Sequence, residues 1–156
     1  MSIDAERYEQ DFHRWTQEQA ALLKARQFDA LDLANLVEEI TALGVTERRA
    51  LGSHLKNLVM HLLKWQHQPN GRQTGHSWRS SIVNARDEIA VLLEDSPSLR
   101  AEVPALLARR YPAARMLAHD QTSLPLTTFP ESCPWTVEQI LDQDFFPGED
   151  TIPGTH

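Results

Sequence analysis

The feature that most restricts the fold is the run from Asp32 to Pro69, DLANLVEEITALGVTERRALGSHLKNLVMHLLKWQHQP. Its apolar residues recur every three or four positions, a spacing that lines one face of a helix. Leu33, Leu36, Val37, Ile40 and Leu43 form one stripe. Leu51, Leu55, Leu58 and Leu62, flanked by Val59 and Trp65, form a second. Leu43-Gly44 lies between them. Gly44 suits a left-handed C-terminal cap and Thr46 an N-cap. The spacing therefore predicts two helices, Asp32 to about Leu43 and Glu47 to about Gln66, hinged at Leu43-Gly44, each burying its stripe; packed antiparallel, their hinge-proximal ends would be neighbours. Gln68-Pro69-Asn70-Gly71 then stops the second helix.

Around this run the chain reads as helix after helix. Tyr8 to Ala25 carries Tyr8, Phe12, Trp15 and Leu22 at helical spacing, with Gln19 the one position out of pattern. Asp29 or Asp32 can accept the free amides of the next helix. Ser77 to Glu94 places Trp78, Ile82, Ile89 and Leu93 on one face. Ser96-Pro97 starts a further helix, and Pro104 and Pro112 predict that it is broken or kinked into two pieces, with Leu106, Leu107, Met116 and Leu117 facing the core. From Gln121 to Trp135 three prolines and no helical period predict an ordered loop, pinned by Leu126, Phe129 and Trp135. Thr136 caps a last short helix, and Phe145-Phe146-Pro147 docks behind it. No stretch alternates with the period of a strand. The reading is all-α: a single-domain helical bundle of five to seven helices over residues 1–147, with a Pro-containing loop before the short C-terminal helix and a flexible tail at 148–156.

Composition narrows the class. One cysteine, Cys133, excludes a disulfide framework and a cysteine-rich metal site. There is no apolar run near the ~20 residues a membrane span needs and no secretory core at the start, so a soluble, cytoplasmic protein is expected. The formal charge of −7 is uneven. Residues 1–47 carry 4 basic and 10 acidic side chains, residues 48–119 carry 11 and 5, and residues 120–156 carry 0 and 7. Acidic ends folding over a basic middle account for this more simply than a nucleic-acid surface, which would cluster its Lys and Arg.

One polar stripe could carry chemistry. At 100° per residue, Glu47, His54 and His61 share an edge of the buried face of the Glu47–Gln66 helix, and an antiparallel neighbour would bring Glu38 or Glu39 beside His54. Imidazoles and carboxylates of facing helices are a donor set for a divalent transition metal, so His54, His61, Glu38 and Glu39 are the candidate ligands. Against this, neither the paired Glu-x-x-His of di-iron bundles nor His-Glu-x-x-His occurs, and His54 and His61 are about 10.5 Å apart along an ideal axis. Arg79 and Arg86, seven residues apart on the fourth helix, could form forks for a phosphate or carboxylate, but a buried glutamate needs such partners. A structural Glu–His–Arg network over Glu38, Glu39, Glu47, His54, His61, Arg79 and Arg86 is therefore the leading reading. Nothing in the sequence marks a nucleophile with its base, a phosphate loop or a dinucleotide fingerprint.

The residues LVEEI..LG...RR.L.SHL..L..HLLKW..QP, SWR.SI...R.EI...L...PSL and PW....IL.QDFFP together resemble the bacterial family called domain of unknown function number 29, over about Tyr8 to Pro147. The resemblance implies a small helical protein and supplies no catalytic residues. The functional expectation is a binding or interaction module rather than an enzyme, with a protein partner or a homo-oligomer as the partner classes and no membrane or nucleic acid. The alternatives are a metal-binding or metal-dependent bundle, and a nucleic-acid-associated or toxin–antitoxin-like module using the basic middle.

Overall fold

A computed structural model describes residues 3–69 and 76–148. Among them the chain forms six α-helices and no strand: α1 (Ile3–Gln10), α2 (Phe12–Lys24), α3 (Leu33–His67), α4 (His76–Asp95), α5 (Val103–Thr122) and α6 (Val137–Leu141). Single 3-10 turns sit at Phe28–Ala30, Pro97–Glu102 and Leu126–Thr128. The all-α class and the helix count agree with the sequence pattern. The chain divides into two compact units, Met1–Thr46 and Glu47–His156, and α3 contributes residues to both. Asn70 and Gly71, expected to stop α3, and the tail beyond Gly148 lie outside the described residues.

In the first unit, the expected Tyr8–Ala25 helix is two helices. Asp11 breaks it: with φ −148 it leaves the helical region and its carboxylate accepts the Arg14 amide at 3.1 Å, capping α2. Tyr8, Phe12 and Trp15 straddle the break and stack at 4.8–5.8 Å between centroids. Gln19, the residue out of pattern, is buried because its side-chain oxygen accepts the Asp32 backbone N–H at 2.8 Å. The Asp32 carboxylate takes the Trp15 indole N–H at 3.0 Å and the Asn35 amide at 2.7 Å. Asp32 thus ties the start of α3 to α2.

The hinge at Leu43-Gly44 is not formed. Helix α3 runs unbroken for 35 residues, so Gly44 is not a left-handed cap and Thr46 does not start a new helix. A lone glycine inside a helix costs only about 1 kcal/mol relative to alanine, and Ala42, Leu43, Glu47 and Arg48 around it are helix formers with no proline among them.

The second unit has the core. Leu51, Leu55, Leu58, Val59, Leu62 and Leu63 of α3 are fully buried, as are Ile82 and Ile89 of α4, Val103 and Ala114 of α5, and Ile140 of α6. Helix α5 is not split in two. Pro104 falls in its first turn, where no N–H is missed, and exposed Pro112 is accommodated inside the helix. The irregularity sits ahead of it, in the 3-10 turn Pro97–Glu102. Leu106 and Leu107 are buried, whereas Met116 is 47% exposed. The loop after α5 is held from the helix: Arg115 donates to the Phe129 and Leu126 carbonyls at 3.0 and 3.1 Å, and the Tyr111 hydroxyl to the Pro130 carbonyl at 2.5 Å. Phe129 is buried. Thr136 and Gln139 form a capping box at the start of α6, and Phe146 docks against Trp65 with centroids 5.1 Å apart.

Candidate interaction surface

The first turns of α3 make the face that stands out. Leu33 and Val37 are each 62% exposed, Ile40 67% and Leu43 68%. At 100° per residue the four fall within an arc of about 120°, over about 15 Å of helix. The adjoining flank is occupied: the Tyr8 hydroxyl donates to the Glu39 carboxylate, which pushes the Tyr8 pKa up to about 12, and Asn35 is held by Asp32. Leu36, within the same arc, is half-buried. The sequence pattern marks this stripe correctly and misplaces it, since the expected burial required the antiparallel hairpin that the continuous helix rules out. Gly44 continues the stripe, and a methyl added there would meet nothing within 4 Å.

The polar residues singled out from the sequence have varied surroundings. Glu38 is exposed, and Glu39 is half-buried under Tyr8. Glu47 accepts a hydrogen bond from the Ser96 hydroxyl at 2.9 Å. His54 is half-buried on α3. His61 is also half-buried, and its Nδ1 is buried with no hydrogen-bond partner among the described residues. Burial first, and then the charge of Lys64, hold its pKa down to about 4. Arg79 lies over the Phe146 ring at 4.5 Å. Arg86 sits within the buried face of α4 rather than on its flank: its Nε donates to the Ile140 carbonyl at 2.8 Å and its Nη2 to the Phe145 carbonyl at 2.7 Å. Within the second unit, then, Glu47 and Arg86 are not partners, and Arg86 clasps the C-terminal segment. Among the described residues no group of three or more His, Cys, Asp and Glu side chains is placed to hold a metal ion.

One buried cation escaped the sequence reading. Lys64 is 8% exposed; its ammonium donates to Gln121 Oε1 at 2.9 Å and lies 4.8 Å from the Trp78 ring centre. Burial lowers its pKa. The signal was present: Leu58 to Trp65 is apolar nearly all round, and such a helix segment is enclosed on every side, which takes Lys64 inside with it.

The basic middle is largely engaged internally. Arg48 pairs with Glu102 at 3.0 Å and Arg100 with Glu138 at 3.7 Å, while Arg86 and Arg115 are taken by carbonyls. Among the described residues no helix is long and apolar enough to cross a membrane. No curated protein and no solved structure matches the chain. The model of the family described as Domain of unknown function DUF29 matches residues 7–146. That match takes in the end of α1 and all of α2 to α6, across both units, and the chain belongs to the DUF29 family.

Proposed function

We propose that this chain is an interaction module of the cytoplasm, working through the exposed face of α3 rather than through catalysis. The observation that carries this reading is the set Leu33, Val37, Ile40 and Leu43, each more than three-fifths exposed and all on one side of a helix. Large apolar residues scattered singly on a surface need no explanation, but a contiguous patch marks a place where another molecule binds. A single half-buried thiol without a disulfide fits a reducing compartment. The polar residues Lys64 and Arg86 support the reading from the other side, because their contacts are those of a fold being held together.

A photo-crosslinking amino acid placed at Val37, and separately at exposed Val83 on α4, tests this in cells expressing the full chain. Discrete crosslinked products at Val37 and none at Val83 are expected. An absence of products at Val37, or the same products at both positions, overturns the reading.

A further inference from the structure

We infer that the molecule covering the α3 face is a second copy of this chain, packing the same stripe about a twofold axis. This rests on the interaction reading above and adds the identity of the partner. The first unit buries very little. Among residues 6–46 only Trp15 and Gln19 are buried, while Phe12, Leu23, Phe28, Leu33, Val37, Ile40, Leu43 and Val45 are all large apolar residues left exposed. With one buried aromatic side chain, residues 6–46 fold with little apolar burial of their own, and units so placed gain stability by association.

What completes it must offer an apolar helix-sized face. Among the described residues of the second unit, the exposed large hydrophobics are Val83, Val91 and Met116, two on α4 and one on α5, with no run of them on either helix. The first unit of another copy presents what is needed. Leu33, Leu36, Ile40 and Leu43 are spaced three, four and three residues apart, the alternation by which two helices interlock side chains along a seam, and a contact that uses one patch twice is closed by a twofold. With Val37 beside the seam, each copy contributes on the order of 400–500 Å² of apolar surface, so the pair approaches the roughly 1,000 Å² that a specific association requires. No charged residue lies in the stripe between Leu33 and Gly44; Glu38 points away from it and Glu39 is engaged by Tyr8. A face without lysine or arginine is also the wrong chemistry for an anionic lipid surface, which recruits basic amphipathic helices.

Sedimentation velocity on the purified full chain over a range of concentrations, in low and high salt, tests the inference. The expected result is a reversible dimer that tightens with added salt, because screening removes the repulsion between acidic units while leaving the apolar contact. Ile40→Glu and Leu43→Glu, both at exposed positions, are expected to abolish the dimer with an unchanged circular dichroism spectrum, and Val83→Glu to leave it intact. A monomer at every concentration overturns the inference, as does a dimer that survives both α3 substitutions. A monomer whose Val37 nevertheless crosslinks to a different protein in cells would remove the second copy while keeping the interaction reading. A monomer with no crosslink would remove both.

Discussion

Arg86 and His61 show two ways of placing an ionisable side chain inside a helical core. Arg86 is 2% exposed and has two carbonyls as its hydrogen-bond partners; burial lowers its pKa, while Asp142 and Asp144 act in the opposite direction. Arg86→Met fills similar volume but orphans the Ile140 and Phe145 carbonyls. At about 1–3 kcal/mol for each buried group left unpaired, it should destabilise the fold by roughly 2–4 kcal/mol in chemical denaturation. His61 works through protonation. Its folded pKa, about 4, lies below the 6.5 of an unperturbed histidine. As pH falls the unfolded chain takes up the proton first, so the contribution is complete above pH 6.5 and is lost between there and about pH 4. With the ring only half-buried and partly screened by solvent, the stake is on the order of 1–2 kcal/mol, less than the full ~1.4 kcal/mol per pH unit. Denaturation midpoints should therefore fall less steeply between pH 7 and pH 4.5 in His61→Gln than in the parent chain. An equal slope in both would show that His61 is not held neutral.

At the scale of elements, α3 is where the sequence pattern and the structure part company. The stripe Leu51–Leu55–Leu58–Leu62, the face of α4, the Thr136 cap of α6 and the docking of Phe146 were all legible, because each shows as a local apolar spacing or a capping residue. The break at Asp11 was not, since an aspartate caps as well as glycine or proline interrupts and leaves the apolar spacing undisturbed. Gly44 misled in the opposite direction: the residue that caps helices also sits inside them when its neighbours are good formers. These two settings predict opposite signs for Gly44→Ala. In a left-handed cap the methyl would strain the backbone. In the continuous helix, with open space around it, it should stabilise by about 0.5–1 kcal/mol. Thermal unfolding in an Ile40→Glu background, where association does not enter, separates the two.

For the whole molecule, the family and the all-α class were readable from residue pattern alone, and the candidate site only in part. Leu33, Val37, Ile40 and Leu43 were recognised as one face, but a periodic apolar stripe reads the same whether it covers its own core or waits for another chain. The polar candidates were recognised by type, but the partners of Arg86 were not legible, because Arg86, like Arg115, spends its donors on backbone carbonyls, which no side-chain pattern announces. One pair joins the basic middle to the acidic C-terminal part, Arg100 with Glu138. The central claim is that the α3 face is open on one chain and covered in the association of two. The most direct test is maleimide labelling of Val37→Cys in a Cys133→Ser background, at dilute and concentrated protein, with Val83→Cys as the reference. Labelling at position 37 that slows as the protein is concentrated, against a constant rate at position 83, is the predicted result. A rate at position 37 that is fast and independent of concentration would contradict it.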